Sequence, residues 1–263
     1  MALNKPKLGQ NFLVDTAARQ AIVDALGPLS ASTVLEIGPG RGALTDMLVP
    51  RARRLVAVEL DRGLAHRLEE AWKHAGHVEI RAGDILEMEM TTLSQTGPLV
   101  VVGNLPYYIT SDILLHLFAH ASAIRRTIVM VQEEVADRLA AQSGSSAYGV
   151  LSATAQMHAR IEKLFVLPPE AFSPPPNVNS AVVRLEMQPR FEELHVERIA
   201  FMRFLQLCFG QKRKTLANNL KRAFPPATVQ AAIEEIGLHA SVRAEAVPLE
   251  ETARLFRRLQ GLA

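Results

Sequence analysis

Five short apolar runs rich in β-branched residues recur through the first half of the chain, each closing on glycine, an acid, an amide or turn residues. They are TVLEIG at 33–38, RLVAVEL at 54–60, HVEIRAGD at 77–84, LVVVGNL at 99–105 and RTIVMV at 126–131. Between them lie stretches with helical spacing, such as TAARQAIVDAL behind the N-cap candidate Asp15, and ITSDILLHLFAHA. Apolar strands alternating with helices have the βαβ rhythm of a parallel sheet, because parallel neighbours need a crossover connection.

Further along, IEKLFVL and SAVVRLEM flank a proline-rich loop through Phe172-Ser173-Pro174-Pro175-Pro176, and the two runs suit a hairpin-like edge. Beyond about Pro189 only helical spacing remains, in ERIAFMRFLQLCF, KTLANNLKRAF, ATVQAAIEEIG and LEETARLFRRLQ. Pro225-Pro226 suits a helix start, Gly237 its end, and Pro248 with Glu250 and Glu251 another start. The expected organisation is an α/β domain over 1–188 and a small all-α domain over 189–263, a division that 263 residues accommodate.

With 48% hydrophobic and 21% charged residues, the composition is that of an ordinary soluble protein. No run reaches the ~20 apolar residues of a membrane span. The amino terminus, MALNKPKLGQNFLVD, lacks the apolar core of a secretory signal, so a cytoplasmic setting with no membrane partner is expected. Cys208 is the only cysteine, which excludes an intramolecular disulfide and a multi-cysteine zinc site and suits a small core residue. A net charge of +2 says little about partners. From Arg203 to Arg222, however, stand Arg203, Lys212, Arg213, Lys214, Lys221 and Arg222 with no acid among them, an excess able to track a phosphate backbone.

VLEIGPGRGALT is a strand, a turn carrying Gly38, Gly40 and Gly42, then a helix start. Gly38, Gly40 and Ala43 satisfy the G-x-G-x-x-G/A spacing of dinucleotide sites, and a tight turn without a ligand fits as well. Glu59 ends the second run 21 residues after Gly38, where an acid can accept from both ribose hydroxyls. Asp84 ends the third, placed for the adenine edge of a nucleoside; either acid also suits an N-cap. NAD and S-adenosylmethionine meet these requirements equally.

The two separate at VVVGNLPYYIT, which hydride transfer does not need. An adenine amine is a weak nucleophile because its lone pair is delocalised into the ring. Acceptors on its two hydrogens localise that pair, and the side-chain oxygen of Asn104 and the carbonyl of Leu105 can supply them. Pro106 stiffens the turn and Tyr107 offers a ring for stacking, with Phe172 a candidate for the opposite face of the base or a buried loop anchor. A strand-end turn with Asn104 as a cap is the bland alternative. His116 and His120 stand four apart on an expected helix, but without an evident third ligand no metal site is assigned.

Almost end to end, these motifs resemble those of the KsgA-type ribosomal RNA adenine dimethyltransferases. KPKLGQNFLVD, VLEIGPGRGALT, VAVELD, AGDI, GNLPY, MVQEEVADRL, SSAYGVLS and FSPPPNVNSAVVRL all look like family segments. The resemblance implies a Rossmann-like S-adenosylmethionine-dependent domain with a mostly parallel seven-stranded sheet, followed by a helical rRNA-recognition domain. It implies cofactor contacts from Asn11, Leu13, Gly38, Gly40, Glu59, Asp84, Ile85 and Asn104. It also implies N6,N6-dimethylation of two adjacent adenosines near the 3′ end of small-subunit rRNA within a pre-30S particle. Tyr108 departs from the family, where asparagine is expected.

The rivals are an Erm-type large-subunit rRNA methyltransferase, a non-catalytic RNA-binding assembly factor or a transcription factor on the same fold, and a nicotinamide-dependent oxidoreductase. FGQKRKTLANNL resembles the KsgA-type segment, implying that Lys212, Arg213 and Lys214, with Lys221 and Arg222, face rRNA phosphates; a solvated helix face is the alternative. Asn104, Pro106 and Tyr107 favour an active enzyme, and no acid–base pair for hydride transfer is evident. No motif demands a dimer, and a monomer is expected.

Overall fold

A computed structural model describes residues 11–261. They form two compact units, one running up to Ala136 with Ile161–Met187, the other comprising Asp137–Arg160 and the chain from Gln188 onward.

In the first half, each apolar run is a strand. β1 is Phe12–Leu13, β2 Thr33–Ile37, β3 Arg54–Glu59, β4 Val78–Ala82, β5 Leu99–Asn104 and β6 Ile124–Gln132. β7 (Ala159–Leu167), β8 (Phe172–Ser173) and β9 (Ser180–Met187) follow. Helices α1 (Thr16–Ala25), α2 (Thr45–Leu48), α3 (Arg62–Trp72), α4 (Thr110–Ala119) and α5 (Glu133–Ala140) lie between them. Asp15 caps α1 as expected, accepting from the Ala18 N–H at 2.9 Å.

Among the described residues the main sheet has seven strands in the order β4-β3-β2-β5-β6-β9-β7. β4 through β6 are mutually parallel, and β9 runs antiparallel to β6. IEKLFVL and SAVVRLEM are neighbours at the edge, as their pattern suggested. All of β2 is buried, as an interior parallel strand must be, whereas β4 at the opposite edge is half-exposed and carries Glu79 paired with Arg54 and Arg81.

The strand order sets the position of the site. From β2 the chain steps outward through β3 to β4, then returns to the other side of β2 with β5. The order therefore reverses between β2 and β5, and in such sheets the crevice beyond the carboxyl ends at the reversal receives ligands. Ile37 pairs in register with Val58 on one side and Gly103 on the other. Gly38, Glu59 and Asn104 each stand one residue beyond that row, so sheet register alone brings three separate motifs to one level.

The second unit holds α6 (Val150–His158), α7 (Arg198–Cys208), α8 (Leu216–Leu220), α9 (Pro226–Glu235) and α10 (Leu249–Leu259). Its core includes Phe201, Phe204 and Phe256, with ring centroids 5.3 Å apart from Phe256 to each of the others. Pro226 opens α9, and Gly237 closes it at φ 79° with a Schellman pair, Gly237 N–H to Glu234 carbonyl and Leu238 N–H to Ile233 carbonyl. Cys208 is buried in this core, and burial pushes its thiol pKa up.

One expectation about domains needs correction. The second unit resumes at Gln188, but Asp137–Arg160, expected in the first domain, belongs to it as well. The reason is apolar surface: Tyr148, Ala153 and Met157 are buried in the helical core rather than against the sheet. No helix among the described residues is long and apolar enough to cross a membrane.

Candidate active site

Two clefts open at the carboxyl ends of the strands. The larger, of about 90 Å³, is lined by Asn11–Leu13 of β1 and its approach, Glu36 of β2 with the glycine turn, Glu59 at the end of β3, and Asn104–Tyr107. The other, of about 60 Å³, lies along Leu60, Gly83, Asp84, Ile85, Tyr108 and Ile113. Gly38, Glu59 and Pro106 line both, so the two chambers meet around Glu59.

Glu59 is 4% exposed and fixed by two main-chain donors, Gly40 N–H to Oε2 and Asp61 N–H to Oε1, each at 2.9 Å. A carboxylate has about four acceptor positions. Two therefore remain for a diol at the junction of the chambers. Gly40 makes this possible: at φ 59° it occupies the left-handed region, and a Cβ there would stand 3.0 Å from the Phe12 ring. Asp84 Oδ1 accepts from the Leu86 N–H at 2.9 Å, so the expected cap is real, and the second oxygen remains able to receive an amine.

Asn104 ends β5 and donates its side-chain N–H to the Asn11 carbonyl at 2.8 Å. That bond turns Oδ1 into the acceptor the amide offers a ligand. The Leu105 N–H is taken by the Met130 carbonyl at 3.0 Å and its side chain is buried, so what it presents is its own carbonyl. The Tyr107 hydroxyl lies 2.6 Å from Ser180 Oγ, a buried residue at the start of β9, which fixes the ring as a cleft wall. Burial raises the Tyr107 pKa and the Ser180 bond opposes it, leaving a neutral phenol.

Asn11, Leu13, Gly38, Gly40, Glu59, Asn104, Leu105, Pro106 and Tyr107 are thus brought together, with Asp84 and Ile85 in the adjoining chamber. Phe172 is not. Its ring is 3% exposed, on β8 opposite Leu13, within the apolar core, and it lines neither cleft. In this position it anchors the β1–β8 ribbon in the apolar core. The KPKLGQ part of the amino-terminal motif lies outside the described residues.

Several lining residues escaped the sequence analysis, Phe12 and Glu36 among them. Phe12 sits with the Arg41 guanidinium 4.3 Å above its ring, and alternation along a two-residue strand gave no sign that both neighbours reach one cleft. Glu36 is buried at the floor of the larger cleft, and burial pushes its carboxyl up to about 8. The Thr45 hydroxyl bond at 2.8 Å opposes that rise, and Asp46 and Glu59 add to it. In TVLEIG this acid reads as one polar residue inside a strand, and only its position beneath the turn reveals it.

The glycine turn leads into the four-residue α2 rather than a long helix, which offers a pyrophosphate little of the helix N-terminus that a dinucleotide site uses. The chambers fit instead an elongated ligand with a cationic end, a central diol and a purine, the outline of S-adenosylmethionine. His116 and His120 have ring centroids 4.5 Å apart, but their nitrogens meet the carbonyls of Met88 and His116 and the Glu89 carboxylate. Among the described residues no group of three or more His, Cys, Asp or Glu is placed to hold a metal.

In the second unit, Lys212, Arg213 and Lys214 are exposed in the loop between α7 and α8, and Lys221 and Arg222 are exposed just after α8. Buried Asn219 holds that loop, donating to the Cys208 carbonyl at 2.7 Å and the Gln211 carbonyl at 3.3 Å, and accepting from the Gln211 N–H at 3.1 Å.

Residues 1–261 match the family described as ribosomal RNA adenine dimethylase. A ribosomal RNA small subunit methyltransferase A of Acidobacterium capsulatum is 55% identical, over 98% of this chain and 92% of that protein. A solved dimethyladenosine transferase from Plasmodium falciparum shares the fold, with TM-score 0.81, 23% identity, and 93% and 95% of the two chains covered. A solved 23S rRNA methyltransferase, ErmE, has TM-score 0.73 and 28% identity over 95% of this chain and 100% of that one.

Proposed function

The chain belongs to the ribosomal RNA adenine dimethylase family, and we propose that it dimethylates the N6 amines of two adjacent adenosines near the 3′ end of small-subunit rRNA. It does so in the cytoplasm, as a monomer, on a pre-30S particle. S-adenosylmethionine, when bound, supplies a methyl carbon made electrophilic by its sulfonium.

The observation that carries this reading is the amide of Asn104, whose nitrogen is tied to Asn11 and whose oxygen is left to accept in the larger cleft. With the Leu105 carbonyl it receives the two amine hydrogens and frees the nitrogen lone pair. Tyr107, held at its hydroxyl by Ser180, supports the base through its ring face. Catalysis is then positioning for in-line attack. With S-adenosylmethionine held by Glu59 and Asp84, the nitrogen would take the methyl carbon as the carbon–sulfur bond gave its pair to sulfur, and the amine proton would pass to solvent. Neither a strong base nor a metal is required, because the electrophile carries a full positive charge. After one transfer the amine keeps one hydrogen, which either acceptor can hold, so the same pair serves the second transfer.

Glu59 holds the ribose and Asp84 the adenine edge, with Asn11, Leu13, Gly38, Gly40 and Ile85 shaping the walls. Lys212, Arg213, Lys214, Lys221 and Arg222 contact rRNA phosphates. What favours small-subunit rRNA over the large subunit is the far greater identity to the small-subunit relative than to ErmE. The test is incubation with undermethylated small subunits and methyl-labelled S-adenosylmethionine, followed by mapping. Label on paired adenosines near the 3′ end is expected; label confined to large-subunit rRNA overturns the assignment.

A further inference from the structure

Adjacent tyrosines on one turn face different chambers. Tyr107 lines the larger cleft and Tyr108 the smaller, and neither lines the other's. Tyr107 is anchored through its hydroxyl to Ser180, whereas the Tyr108 side chain is left 57% exposed at the mouth of its chamber. Across the same chamber Leu60 is 47% exposed. Two large apolar side chains left in water around one narrow cleft are covered when a flat, apolar group enters it.

The rest of the chamber narrows the identity of that group. Val58, Ile85 and Ile113 make its walls apolar, and Asp84 supplies one carboxylate with an oxygen beyond the Leu86 cap. An apolar slot with a single acceptor at its edge suits a purine bearing an amine. Glu59 at its inner end, with two acceptor positions still open, suits the ribose attached to it. A base belonging to RNA enters instead on the Asn104 side, in the other chamber.

We propose that Tyr108 is a binding residue for the cofactor's adenine, walling the nucleoside slot, rather than part of the pocket for the target base; this rests on the proposed use of S-adenosylmethionine. The ring stabilises the adenine by face or edge contact, and its hydroxyl is dispensable. The residue at this position thereby sets cofactor affinity and leaves rRNA recognition alone.

Calorimetric titration of the whole protein with S-adenosylhomocysteine tests this, using wild type, Tyr108→Ala and Tyr108→Phe, alongside the KM for undermethylated small subunits. Removing one aromatic ring from beside a base is expected to weaken binding about tenfold in Tyr108→Ala. Tyr108→Phe should bind as wild type, and the KM for subunits should not move in either variant. Wild-type affinity in Tyr108→Ala overturns the proposal, as does a raised KM for subunits with S-adenosylhomocysteine binding intact, which returns Tyr108 to the target pocket. Failure of the wild-type protein to bind S-adenosylhomocysteine is a distinct result, overturning the cofactor reading and this proposal with it.

Discussion

The side-chain nitrogen of Asn104 donates to the main-chain carbonyl of Asn11 at 2.8 Å. The two residues are 93 positions apart, and their bond joins the end of β5 to the approach to β1. Its effect is directional. An amide free to flip would present a donor or an acceptor, and only the acceptor localises an amine lone pair. β1 is itself held by pairing to β8 and by the Arg19 guanidinium on the Leu13 carbonyl, at 3.1 and 2.6 Å. The short ribbon, inconspicuous in the sequence, thus orients the amide to which the proposed chemistry assigns the amine.

Glu36 makes stability pH-dependent in a stated direction. Its folded pKa of about 8 lies above the ordinary 4.5, so the folded protein holds a proton that the unfolded chain releases between these values. Stability from this group is full below pH 4.5 and declines as pH rises toward 8. Glu36→Gln keeps the shape without the charge. In denaturant titrations it should match wild type near pH 4.5 and exceed it at pH 8.5 by several kcal/mol at most, since each pH unit between the two pKa values is worth roughly 1.4 kcal/mol. Equal pH profiles for the two proteins would show that Glu36 is ionised in the fold.

Thr127 lies on β6 between Val101 and Leu185, fully buried, and its hydroxyl meets no partner among the described residues. Thr127→Val keeps the β-branched shape and removes a polar atom without a bond. We expect an unchanged or higher denaturation midpoint, by about 1 kcal/mol. A clear loss of stability would mean that the hydroxyl is satisfied in the folded protein.

Much of the fold was legible because apolar runs separated by helical stretches leave few alternatives, and strand ends in such sheets carry function. Gly38, Glu59, Asp84 and Asn104 were singled out that way, and all four line the clefts. What escaped depended on contacts distant in sequence. Tyr148 and Met157 look like catalytic-domain residues until their burial among α7–α10 is seen. Phe172 suited a base or a core from its loop alone, and its burial follows from the pairing of β8 with β1, which no local pattern shows. Phe12 and Glu36 had no periodic signature at all.

The basic loop after α7 gives a graded prediction. Replacing Lys212, Arg213 and Lys214 together by alanine should weaken rRNA binding and flatten its logarithmic salt dependence by roughly 0.7–0.9 for each phosphate no longer neutralised. Asn219→Ala leaves the Gln211 N–H and Cys208 carbonyl without that partner and should cost about 1–3 kcal/mol in stability. An unchanged salt slope in the triple variant removes those residues from the interface.

The most direct measurement on the central claim is single-turnover methyl transfer by Asn104→Ala, paired with its affinity for S-adenosylhomocysteine. Loss of an acceptor that acts on the amine in the transition state should lower transfer by about a hundredfold or more while affinity stays within about threefold. Turnover equal to wild type, with the cofactor product bound normally, would contradict the account: the amide that Asn11 orients would then have no part in activating the adenine.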